Sequence, residues 1–134
     1  MQYSAINNTV RYAFALHASA PHMKEGTLLN AQFKKGVLEL CVLALLARKD
    51  CYGFELVSAV SRSVSMSEGT VYPLLKRLRD DGLLTTYLQE SNEGPPRKYY
   101  RLTENGTRRF AELNDEWQAF VRGVDEIIRG GNVA

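Results

Sequence analysis

Soft metal ligands are scarce, with two cysteines and two histidines in 134 residues. Cys41 and Cys51 lack metal-ligand spacing, and His17 and His22 both fall near the N-terminus, so the usual zinc patterns are excluded. Cys41, inside an apolar run, reads as a small buried side chain, while Cys51 stands at an expected helix start with part of its surface open. Two thiols give no disulfide framework and no reason to expect an oxidising compartment. A long apolar run is missing as well. Val37–Ala47 is interrupted by Glu39 and falls short of the roughly 18 residues that cross a bilayer. Val10–Ala20 imitates a secretion signal ending in Ala18-Ser19-Ala20, but its apolar centre is short and only Arg11 precedes it, so it is rejected as one. The expected compartment is the cytoplasm. Nucleophile–base pairing, a phosphate loop and a ligand cluster are all missing, so neither an enzyme nor a cofactor is expected.

The charge excess is small too. A net charge of +2 does not by itself suggest nucleic acid. Residues 24–102 carry 12 Lys/Arg against 9 Asp/Glu, whereas 103–134 carry 4 against 6. A mildly basic body with an acidic tail helix is compatible with DNA binding. Residues 1–22 contain no acidic residue and do not share the later pattern. Pro21-His22-Met23 looks like a cloning junction ahead of a native start at Met23, the alternative being a natural extension. The length suits one domain with a modest core, leaving apolar surface for a partner.

What is present is a succession of periodic segments. From Asn30 to Lys49 the apolar residues cover most of a helix circumference, marking a buried helix. A second helix starts after Tyr52-Gly53 and runs to about Arg62 on a stripe of Phe54, Val57 and Val60. After the polar break Ser63–Ser67, Ser65 and Glu68 fit the spacing of a capping box. In the third helix Val71, Leu74, Leu75 and Leu78 fix one face to the core, and Thr70, Tyr72, Pro73 and Lys76 flank or form the other. Pro73 predicts an irregular first turn or a helix start later than Glu68, and Asp81-Gly82 closes the helix. Leu83–Ser91 and Arg97–Thr103 read as strands joined by a turn over Asn92–Pro96. A long helix then runs from Thr103 to about Arg129, and Phe110, Leu113, Trp117, Phe120, Val124 and Ile127 make a heptad seam. The expected fold is mainly α with a small β-hairpin: a winged helix-turn-helix over 23–102 and a long C-terminal dimerisation helix over 103–130.

Four blocks in this order resemble the PadR-like family of bacterial transcription regulators. They are Phe33-Lys34-Lys35-Gly36, Tyr52-Gly53-Phe54-Glu55-Leu56, Glu68-Gly69-Thr70-Val71-Tyr72-Pro73-Leu74-Leu75, and Gly94-Pro95-Pro96-Arg97-Lys98-Tyr99-Tyr100-Arg101-Leu102-Thr103. The resemblance spans about residues 24–130 and is to short-tailed members with one C-terminal dimerisation helix. It implies a dimer on an operator, with Tyr72 and its neighbours facing DNA and repression as the family's mode. It also implies a use for Trp117, since in some relatives a tryptophan on this helix lines a pore that takes flat apolar compounds.

The residues themselves ask for similar chemistry. A recognition helix presents polar and basic side chains from its N-terminal half to the major groove, and Ser67, Thr70, Tyr72 and Lys76 are placed for that. Arg97 and Lys98, beside a rigid Gly-Pro-Pro turn, put two charges at a wing tip that can reach backbone or minor groove. One recognition helix offers too few contacts, so a two-fold homodimer is expected to read a near-palindromic operator in double-stranded DNA. Phe110, Leu113, Trp117, Phe120 and Val124 are the expected dimer interface or ligand site, with a planar apolar small molecule as effector. The alternative is a winged-helix protein-interaction module that does not bind DNA, favoured by the acidic Asp80, Asp81, Glu90 and Glu93.

Overall fold

The computed structural model describes residues 31–64 and 68–130. The readings on residues 1–22, and those on Ser65 and Ser67, lie outside these residues. In chain order the elements are α1 (Ala31–Arg48), β1 (Cys51–Tyr52), α2 (Gly53–Ser63), α3 (Glu68–Asp80), β2 (Leu84–Ser91), β3 (Gly94–Leu102) and α4 (Glu104–Ile128). The chain forms two compact units that part inside α4, one ending at Ala111 and the other taking up at Glu112.

In the first unit the core follows the apolar stripes. Leu38, Val42, Leu43 and Leu46 come from α1, Leu56, Val57 and Val60 from α2, and Val71, Leu74, Leu75 and Leu78 from α3. All are buried, and so are Leu84 and Tyr100 of the sheet. Each large aliphatic side chain taken out of water contributes about 1.5–3 kcal/mol, enough for these three stripes to fix how the helices lie.

Pro73 does not delay or disturb α3, which is helical from Glu68 through the proline. The reason is position. The missing N–H would have met the carbonyl of Gly69, an exposed residue in the first turn, where water replaces the lost bond. At the other end the helix stops as expected. Gly82 adopts φ 78°, its N–H donates to the Arg79 carbonyl at 3.0 Å, and the Leu83 N–H donates to the Leu78 carbonyl at 2.9 Å. This paired 6→1 and 5→2 closure needs a left-handed residue at its bend.

The sheet has three antiparallel strands in the order β1-β3-β2, one more than the expected hairpin. β1 consists of Cys51 and Tyr52, paired with Tyr100 and Tyr99. Cys51 is therefore not at an open helix start. It is buried, and its thiol donates to the Lys49 carbonyl at 3.5 Å. The hairpin turn is also tighter than the sequence suggests, since Asn92 and Glu93 form it and Gly94-Pro95-Pro96 already belongs to β3. Prolines are tolerated there because, among the described residues, β1 pairs with β3 at Tyr99 and Tyr100 alone, which leaves one side of β3 near the tip with no described partner strand.

Thr103 caps α4. Its Oγ1 accepts from the Gly106 N–H at 3.0 Å and donates to the Gly82 carbonyl at 2.7 Å. The start of α4 thus rests on the α3–β2 corner. A Cβ at Gly106 would collide with the Leu83 carbonyl oxygen, so this crossing admits only glycine.

Candidate nucleic-acid interface

α3 divides by its period into a buried stripe and an outer face carrying Tyr72, Pro73, Lys76 and Arg77. Thr70 is half-buried beside them. Tyr72 keeps 47% of its surface exposed while its ring crosses the start of α2. A Cβ on Gly53 would stand 3.0 Å from its Cε1 and 3.4 Å from its hydroxyl oxygen. The glycine therefore makes room for the ring and limits how it can turn. Lys76 is 72% exposed and pairs with Asp80 one turn on, at 3.2 Å. Arg77 stands 3.6 Å from Glu39 and 3.8 Å from Asp81, and Arg79 stands 3.8 Å from Asp80. Each of these cations has a carboxylate beside it, which moderates the positive potential of the face.

On the wing, register separates Arg97 from Lys98. Arg97 pairs across the hairpin with Gln89, and Lys98 with Leu88, so they project from opposite sheet faces. Neither is at the tip, which Asn92 and Glu93 occupy. The Lys98 ammonium lies 5.8 Å from the Tyr100 ring centre, on the core side of the sheet. Burial pushes the Tyr100 phenol up, and the Arg79 guanidinium of α3 pulls it the other way. Lys98 thus shares the side of the sheet on which α3 lies. The guanidinium of Arg97 stacks 4.6 Å above the Tyr52 ring on the outer side.

That outer face carries a row of rings. Tyr52, Tyr99 and Tyr87 are cross-strand neighbours on β1, β3 and β2, with centroids 5.7 Å and 5.5 Å apart. Phe54 extends the row from α2 at 6.4 Å. At its β2 end stands a polar clasp. The Asp50 carboxylate accepts from the Tyr87 hydroxyl at 2.7 Å and from Arg101 Nε at 2.9 Å, and the Arg101 carbon lies 4.8 Å from the Tyr87 ring centre. The Tyr87 bond, and then the Arg101 guanidinium, hold the Asp50 carboxyl below the ordinary carboxylate range. The clasp ties the α1–β1 connection to both long strands and so fixes the wing against the helices.

Along α4 the residues of the expected seam differ in exposure. Phe110, Leu113 and Trp117 are half-buried, whereas Phe120 (54%), Val124, Ile127 (69%) and Ile128 are exposed. The Trp117 and Phe120 rings stand 6.3 Å apart at a tilt of 38°. Among the described residues there is no group of three His, Cys, Asp or Glu side chains able to hold a metal, and no helix long and apolar enough to cross a membrane.

The family model of the PadR-like transcriptional regulators matches residues 42–112. That stretch runs from α1 through α3 and the wing into α4. The chain belongs to the PadR-like family. A crystal structure of a PadR-like transcriptional regulator from Bacillus cereus is 34% identical, with a TM-score of 0.67 over 73% of this chain and 97% of that one. A PadR-like transcription factor from Bacteroides fragilis is 39% identical, with a TM-score of 0.62 over 72% and 95%. Among curated relatives, a transcriptional regulator of Mycobacterium tuberculosis is 32% identical over 74% of this chain and 90% of its own length.

In this PadR-like chain α3 and the basic pair of the wing are legible from local pattern, whereas the clasp is not. Asp50, Tyr87 and Arg101 are far apart in sequence and meet only through strand register. Tyr52 carried one signal, the Tyr-Gly step before α2, but its contact with Arg97 depends on β1, which is too short to show periodicity.

Proposed function

We propose that this regulator is a homodimeric, ligand-responsive repressor that reads a near-palindromic operator in double-stranded DNA. Thr70, Tyr72 and Lys76 of α3, with Ser67 just before it, contact base edges and flanking phosphates in the major groove. Lys98 and Arg97 neutralise phosphates from the two faces of the wing. The observation that supports this most is the division of α3. Four of its side chains are buried in the core, and Tyr72, Lys76 and Arg77 are left outside on a helix followed directly by a hairpin with Lys98 on the α3 side.

Footprinting and gel shift on the gene's own upstream region test this reading. A protected near-palindrome is expected, with binding that falls steeply as salt rises. Lys76→Ala should redirect or weaken sequence preference. Arg97→Ala should weaken all sequences evenly and flatten the log–log salt slope by about one unit. A salt-insensitive complex, or none, would favour the second reading, a winged-helix module that binds protein. What supports that alternative is the carboxylate beside each α3 cation, with Glu90 and Glu93 at the hairpin end.

The effector half of the proposal rests on Trp117 and Phe120, two adjacent rings on the α4 seam. A flat apolar compound stacked between two copies would quench Trp117 fluorescence. A panel of planar aromatics that leaves the emission unchanged would remove the effector from the reading.

A further inference from the structure

Glu39 is the one charged residue in the apolar run Val37–Ala47, and its side chain is only 12% exposed. An ionised carboxylate in such a place is costly unless it is paired. Its two oxygens meet two different helices. Oε2 stands 3.6 Å from Arg77 Nη2 on α3, and Oε1 stands 3.6 Å from Arg109 Nε on the first turns of α4. Oε1 is sealed from solvent and has no hydrogen-bond partner among the described residues, so the Arg109 charge is what compensates it. Arg77 and Arg109 are each about half exposed. Both guanidiniums can therefore turn outward, whereas the carboxylate has nowhere else to go.

We infer that Glu39 is a positioning residue that couples the placement of α4 to that of the recognition helix α3. If α4 shifts so that Arg109 withdraws, Oε1 is left buried and uncompensated. Among the described residues the cation then left to the carboxylate is Arg77, and drawing closer to it pulls on the outer face of α3 between Lys76 and Leu78. Two helices compete for one buried acceptor. That gives the pair a discrete response to displacement, the kind of element through which two sites bias each other. The inference rests on the reading above only where it says what α3 and α4 do. The link itself is a property of the three side chains.

Hydrogen–deuterium exchange on the DNA-free full chain tests the link without DNA. Arg109→Gln, a change at a half-exposed position, is expected to raise exchange several-fold at the α3 amides from Leu75 to Asp80. Glu39→Gln should do the same, and the double variant should add nothing to Glu39→Gln alone. Unchanged α3 exchange in Arg109→Gln, or simple addition in the double variant, overturns the inference. Should Glu39→Gln fail to fold, Arg109→Gln alone still decides. With operator DNA, Arg109→Gln should lower affinity about ten-fold at an unchanged salt slope, because Arg109 acts through Glu39. A slope smaller by about one unit would make Arg109 itself a phosphate contact and sink the positioning role. If the exchange effect is present and the parent chain binds no DNA, the link stands and the operator reading fails.

Discussion

Lys76 and Asp80 stand one helical turn apart on the outer face of α3, ammonium to carboxylate 3.2 Å, with both side chains more than half exposed. Such a pair adds little to stability, yet its carboxylate would oppose an approaching phosphate. Asp80→Asn should therefore leave the unfolding midpoint nearly unchanged and tighten DNA binding by about two- to five-fold at low salt, the gain fading as screening rises. Gel shifts at several ionic strengths check this, and an unchanged or weaker complex would remove Lys76 from the contact surface. Gly106 poses the opposite kind of question, one of space. A methyl group there meets the Leu83 carbonyl, itself bonded to the Thr103 N–H at 3.1 Å. Gly106→Ala must push α4 off the α3–β2 corner and should cost about 2 kcal/mol, within the usual range for overpacking. Urea unfolding measures it. A midpoint equal to that of the parent would contradict the close crossing.

Elements were legible where their side chains repeat. Val71, Leu74, Leu75 and Leu78 announce α3 and its buried side, and the seven-residue spacing of Phe110, Trp117 and Val124 announces α4. β1 was not, because two residues have no period and its partners, Tyr99 and Tyr100, lie far along the chain. Local chemistry marks Pro95-Pro96 as turn. The side of β3 that no described strand meets there lets them stand in a strand instead. The same non-local register created the Asp50 clasp, and with it a pH dependence that no local pattern signals. The folded-state pKa of Asp50 is lowered, chiefly by the Tyr87 hydroxyl and then by Arg101. Its contribution to stability is thus fully present above the ordinary carboxylate value and is lost as pH falls through the lowered one. Asp50→Asn should be less stable than the parent near neutrality and should converge with it in strong acid. Guanidinium midpoints across pH follow the difference, and a constant gap down to strong acid would mean that the clasp works through shape and not charge.

At the scale of the whole molecule, Phe120, Val124, Ile127 and Ile128 are unusual in exposing so much apolar surface along one helix. Scattered exposed leucines need no explanation, but a contiguous apolar stripe does. In the proposed homodimer a second copy of the chain would cover it, a two-fold axis setting each seam against its like. Symmetry also doubles the cost of damage. Ile127→Asp removes about 2 kcal/mol of apolar burial from each copy, so the dimer constant should fall by roughly a thousandfold. Sedimentation at micromolar concentration should then give the mass of one chain where the parent gives two. Helix content should be retained, because Ile127 is 69% exposed in the single chain and little of its packing is lost there. Operator affinity should fall with the dimer and recover as protein concentration rises, which separates a pairing defect from a damaged reading surface. A variant that stays dimeric would move the pairing surface off the α4 seam, and the effector reading of Trp117 would lose its two-fold site with it.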